Sequence, residues 1–214
     1  MFATKESSKK TKPVHSKVVS EIPVALVRET IDGIPFYYAG FRSVLNKTKT
    51  LEDILADSGL QLFLKRFFFK LLDSGLDALK FVVLMGEVGN HLDHRSNLGL
   101  DVAVYDKKIL TSDKITTKYI DVAPKIVIEI DVNVEMAEPN ENIFEEFVLR
   151  KVKKLFEFGT EKIVWVFSKS KTVIVARPGG KWDVVDWDQD VELADCIVFN
   201  IAKYLEEEGI KIGE

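Results

Sequence analysis

The run Pro124-Lys125-Ile126-Val127-Ile128-Glu129-Ile130-Asp131 leaves this chain little structural choice. Consecutive β-branched residues describe a strand buried on both faces, and a proline is tolerated at a strand start. Glu129 is out of place there, because an ionised carboxylate without a partner is costly to bury. Something cationic should meet it. A second acid, Asp101, sits in the earlier apolar run Leu98-Gly99-Leu100-Asp101-Val102-Ala103-Val104. Downstream, Phe144 to Phe158 reads as a helix stopped by Gly159, and it carries Lys151, Lys153 and Lys154. Strand-borne acids followed by a helix-borne lysine can build a metal-dependent phosphodiesterase centre.

Composition sets the frame for that possibility. With 214 residues, 46% hydrophobic and 30% charged, residues 21–214 suit one globular domain with a sizeable core. No apolar run reaches the roughly 18–20 residues of a membrane span, and no signal-peptide core is visible. The one cysteine, Cys196, excludes an intrachain disulfide and a Cys-based zinc site, so a cytoplasmic location is expected. A net charge of -4 does not advertise a nucleic-acid binder, although a local basic patch works within an acidic protein. Residues 1–20 place Lys5, Lys9, Lys10, Lys12 and Lys17 among Ser and Thr, which reads as a disordered basic tail. Such a tail is either simply solvated or an arm touching phosphate.

From Ile22 the expectations follow in order. Val24 to Arg28 and Pro35 to Phe41 form a hairpin around Asp32-Gly33. Thr50 caps a helix, and a second helix covers Leu60 to Leu72 with apolar residues at helical spacing. Phe67-Phe68-Phe69 and Phe36-Tyr37-Tyr38 carry more aromatic surface than one face needs, which predicts a homodimer. Lys80 to Met85 is a strand, and Gly86 to His94 a loop that flanks a cleft; His91, Asp93 and His94 do not have convincing zinc-site spacing. Asn133 to Asn142 is an acidic loop. Lys162 to Phe167, Thr172 to Ala176 and Trp182 to Trp187 form an antiparallel meander, and Asn200 caps a last helix.

The hairpin Asp32-Gly33-Ile34-Pro35-Phe36-Tyr37, the Asp101 and Glu129 strands, the run from Lys151 through Gly159 to Trp165 and the turn Arg177-Pro178-Gly179-Gly180 together resemble the Uma2 family. This family, once called DUF820, belongs to the PD-(D/E)XK nuclease superfamily. The resemblance implies an α/β restriction-endonuclease-like core: a mixed central β-sheet flanked by helices, with an N-terminal β-hairpin and helices. It implies cleavage of DNA phosphodiester bonds. The chain departs from the superfamily pattern in having Leu100 before Asp101 and Asp131 where the lysine usually stands. The resemblance then takes the lysine from the following helix, where Lys151, eight residues before Gly159, matches best and Lys154 competes.

On that resemblance Asp101, Glu129 and Lys151 are the catalytic residues. Mg²⁺, or Mn²⁺ in its place, prefers oxygen ligands; Asp101, Glu129 and the Ile130 carbonyl would supply them. Asp131, on the Glu129 face by strand alternation, and Glu87 are alternatives or supporting residues. Lys151 lies one turn after Phe147 and four residues before Leu155, on the edge that packs on the sheet. Lys153 is about 200° around the helix from Lys151 and should face water. A different outcome is a non-cleaving homodimeric nucleic-acid-binding or regulatory module that keeps the fold.

Overall fold

A computed structural model describes residues 22–138, 142–180 and 182–211. The basic segment 1–20 lies outside them. After a 3-10 turn at Val24–Leu26, the strands β1 (Val27–Ile31) and β2 (Ile34–Tyr38) form the N-terminal hairpin. Short helices α1 (Phe41–Leu45) and α2 (Glu52–Leu55) lead to the long α3 (Gly59–Gly75). The strands β3 (Phe81–Asp93) and β4 (Ser96–Asp106) form a second, longer hairpin. β5 (Ile126–Ile130) and β6 (Val134–Glu135) precede a π-helical stretch, Phe144–Leu149, that runs into α4 (Arg150–Phe158). The meander β7 (Lys162–Phe167), β8 (Thr172–Ala176) and β9 (Asp183–Asp186) follows. A small hairpin, β10 (Val191–Ala194) with β11 (Ile197–Phe199), and α5 (Ile201–Glu207) complete the described chain.

The large sheet runs β6-β2-β1-β4-β5-β7-β8-β9, with β3 also paired to β4. β5 and β7 pair in parallel, joined by the crossover through α4; the neighbouring β4–β5 and β7–β8 pairs are antiparallel. This is the expected mixed sheet flanked by helices, with an N-terminal hairpin. Leu64, Phe68 and Leu72 of α3 and Ile201 and Leu205 of α5 pack with Val102, Val104, Ile126, Ile128 and Ile130. Phe147, Val152 and Leu155 pack with Ala103, Tyr105, Val127 and Trp165 in a second cluster. Alternation along β5 therefore feeds both layers, as period-2 side chains must. Among the described residues no helix is long and apolar enough to cross a membrane.

Three expectations change. Gly86 to His94 is not a loop: β3 continues to Asp93, with a bulge between Met85 and Val88. Glycine in the left-handed region at Gly86 (φ 116°) lets the strand bend without ending. β1 starts at Val27, later than expected, because Val24–Leu26 turns first. The aromatics expected to be left for a partner are largely taken up within the chain. Phe36 and Phe68 are fully buried, and Phe67 stacks on Tyr204 with ring centres 4.1 Å apart.

Candidate active site

The site forms where β4 parts from β5. Their ladder ends at the pair Val102 and Ile128, and β4 then turns toward β1, pairing Asn97 with Thr30. Asp101 is the next residue beyond that last pair. On its other side the β3 bulge sets Gly86 and Glu87 against it. Leu98 and Leu100 share a cluster with Ala103 and Tyr105 while Val102 joins the other, so regular alternation breaks around Asp101. Beyond the parting, Ile130 N–H donates to Asp101 Oδ2 at 2.8 Å. The carboxylate replaces the ladder bond that β4 no longer supplies.

Lys151 projects from α4 with no exposure and meets acids from two strands. Its Nζ lies 2.8 Å from Glu29 Oε1 and 3.1 Å from Glu129 Oε1, and it donates to the Gly99 carbonyl at 2.9 Å. Its ammonium also sits 5.4 Å from the Phe147 ring centre and 5.9 Å from that of Trp165. The Glu129 contact has ion-pair distance without hydrogen-bond alignment. Glu129 Oε1 and Glu29 Oε2 are thus buried without a hydrogen-bond partner among the described residues. A Cβ at Gly99 would stand 2.6 Å from Glu87 Oε2, so the glycine leaves room for that side chain beside the strand.

One ammonium between two buried carboxyls cannot neutralise both. Burial is the largest influence on Glu129 and pushes its pKa up to about 8; Lys151 opposes it, while Asp101 and Glu29 add to it. Burial likewise raises Glu29 against the pull of Lys151. For Lys151, burial alone would lower the pKa, but Glu129 and then Glu29 outweigh it and leave it raised. Lys151 is therefore held in its charged form, while burial drives both carboxyls toward the protonated form.

The other side of the parting belongs to α3. Ser58 caps that helix in a reciprocal capping box with Gln61. Gln61 then points Nε2 at the Ile130 carbonyl, 3.5 Å away. One turn later Lys65 is buried, its Nζ 2.9 Å from Asp101 Oδ1 and 2.7 Å from Asp57 Oδ2. Burial would lower the Lys65 pKa, but Asp101 and Asp57 more than reverse it.

The remaining sequence candidates stand apart. Lys154 binds Asp32 and Asp93 at 2.7 and 2.8 Å, and Lys153 is exposed. Asp131 leaves the Glu129 face that strand alternation would give it. β5 ends at Ile130, Asp131 takes φ 61°, and its carboxylate accepts from Ser168 N–H and Oγ at 2.7 Å each. Glu87 pairs with Arg28 at 2.8 Å. Sequence reasoning missed Glu29, Gln61 and Lys65. For Lys65 the available signal was a charge between Leu64 and Phe68 on the apolar face of α3.

No protein-family model matches the sequence, and no curated protein does. Among solved structures, the chain is similar to a candidate nuclease belonging to DUF820 from Anabaena variabilis ATCC 29413. The TM-score is 0.60, with 83% of this chain and 89% of that chain covered, at 14% sequence identity. The two share their fold.

Proposed function

We propose that this chain, which has the fold of a DUF820 protein, is a metal-dependent endonuclease that hydrolyses DNA phosphodiester bonds. The observation that carries this reading is the fully buried Lys151 ammonium held against Glu129 and Glu29, with Asp101 buried on β4, the strand paired to the one that carries Glu129. Maintaining more buried acid than base in an interior is costly, and such sites are enriched in function.

Among the described residues no group of three His, Cys, Asp or Glu side chains stands ready as a metal cage. The donor chemistry nevertheless fits a hard cation. Asp101 and Glu129 offer carboxylates, Ile130 offers a carbonyl, and the buried Glu129 Oε1 lacks a hydrogen bond. Those three residues would hold Mg²⁺ or Mn²⁺. Such an ion supplies charge neutralisation at the phosphate and a more acidic bound water. Lys151 supplies a fixed positive charge that is already desolvated, offsetting negative charge as it develops. Glu29 holds that ammonium in place. On the same reading the protein acts on DNA in the cytoplasm as a homodimer, whose two centres would serve the two strands; that dimer would not draw on Phe36 or Phe68, which are buried within the chain.

The test is a cleavage assay on duplex, branched and single-stranded DNA with Mg²⁺ or Mn²⁺, with light scattering alongside. The parent should cut and run as a dimer, and Glu129→Ala should lose cutting. Equal cutting by Glu129→Ala, or none by the parent on any form, rejects the nuclease. One observation favours the second reading, a non-cleaving nucleic-acid-binding or regulatory module: both Asp101 oxygens already have partners, Lys65 and the Ile130 N–H.

A further inference from the structure

The α3 side of the site contains a lysine that the nuclease reading does not use. Lys65 is 1% exposed in a helix whose other buried residues are chiefly apolar. An ammonium is expensive to bury there unless it serves a partner. Its partners differ in kind. Asp101 is as buried as Lys65 itself, with side-chain exposures of 5% and 2%. Asp57 lies just before the α3 cap and is 21% exposed, on the way to solvent. Gln61, one turn earlier, points its amide at the Ile130 carbonyl. Two neighbouring polar groups of one helix thus address two of the three atoms that would bind a cation.

We propose that Lys65 is the internal counter-ion of Asp101, and that a divalent cation gains the Asp101 oxygen only by breaking the Lys65–Asp101 contact and leaving the ammonium on Asp57 alone, which it already touches. The inference rests on the metal-dependent reading of the site. Coulomb attraction makes a buried carboxylate oxygen a position for which cations compete. A lysine stem has enough rotatable bonds to draw its ammonium back from Asp101 while it stays on Asp57, without moving the helix. Asp57 gives the displaced charge a partner, so that it need not be left buried alone. The Lys65 pair thereby sets how readily the Asp101 oxygen is given up to metal, while Lys151 from α4 contacts Glu129, the other carboxylate of the site.

The experiment is calorimetric titration of the full chain with Mn²⁺, paired with thermal melting and circular dichroism. Lys65→Met removes the competitor at nearly constant volume and should tighten Mn²⁺ by ~10-fold or more. Lys65→Arg keeps the charge and should bind like the parent. Asp57→Asn removes the alternative partner and should weaken Mn²⁺, yet change nothing in the Lys65→Met background. A purely structural salt bridge would lower the melting temperature in each variant without these opposite signs. Folded Lys65→Met that binds Mn²⁺ no more tightly than the parent overturns the proposal. So does Asp57→Asn with the same effect in both backgrounds, or no Mn²⁺ binding by any variant. If Lys65→Met does not fold, Asp57→Asn against Lys65→Arg decides: weakening in the first alone supports the exchange, and any other pattern overturns it. The nuclease reading is judged separately. The predicted affinities without DNA cleavage would keep the Lys65 exchange and discard the nuclease. Cleavage abolished in Glu129→Ala, with unchanged affinities in the Lys65 variants, would do the reverse.

Discussion

Lys151 and Lys154 lie three residues apart on one helix and do different work. Lys151 has no exposure and faces Glu29 and Glu129; Lys154 bridges Asp32 and Asp93 at the rim. Lys151→Met strands two carboxyls in the interior, and breaking a buried pair typically costs about 3–5 kcal/mol. Urea denaturation at neutral pH should show a loss of that size. Where the variant remains folded, DNA turnover should fall while Mn²⁺ affinity holds or rises, because a competing positive charge is gone. Lys154→Ala should retain cleavage. If the two lysines exchange these phenotypes, the assigned role of Lys151 is wrong. Asp101 and Glu129 are visible in the sequence because acids interrupt runs of β-branched residues. Glu29 is harder to see, since Val27-Arg28-Glu29-Thr30 looks like an ordinary half-exposed strand. Only the fold reveals that β1 lies beside β4, near enough for Glu29 to meet a helix 122 residues away.

At the scale of elements, α4 is tied to both hairpins through one residue of its polar edge. Lys154 ties it to Asp32 in the first hairpin and to Asp93 at the tip of the second. The hydrogen bond from Lys154, with the Arg95 N–H next, holds the Asp93 carboxyl down at about 2. A depressed carboxyl gives stability that is present above its unfolded value and disappears as pH falls through the folded one. Asp93→Asn should therefore flatten the acid limb of a melting-temperature profile from about pH 4 toward 2. The effect should be small, within the ~1 kcal/mol of an exposed pair. An unchanged acid limb would show that this bridge does not link α4 to the hairpins. Helical spacing makes α3 and α4 legible, and turn residues make the meander legible. The β10–β11 hairpin is missed because its strands are only four and three residues long. Its turn uses Cys196 at φ 62°, where a sequence reader looks for glycine or asparagine. The full length of β3 is hidden by Gly86, which reads as a terminator but serves as a bulge.

Across the whole molecule, the sheet is mostly stitched by antiparallel neighbours, while its centre depends on the parallel pairing of β5 with β7 through α4. The Lys151–Glu29 contact joins residues 122 apart, and Asp101 reaches the Ile130 amide across 29. Contacts of such sequence separation are slow to form, because loop closure precedes any reward from them. Refolding should accordingly proceed in two visible stages. Far-ultraviolet ellipticity recovers first, through α3 and the local hairpins, and Mn²⁺ binding or cleavage returns later. Simultaneous recovery in stopped-flow measurements would contradict that order. In a nascent chain every residue of the proposed centre is made before β7, yet β5 gains its parallel partner only when β7 follows, so capacity to damage DNA would arrive with the completed sheet.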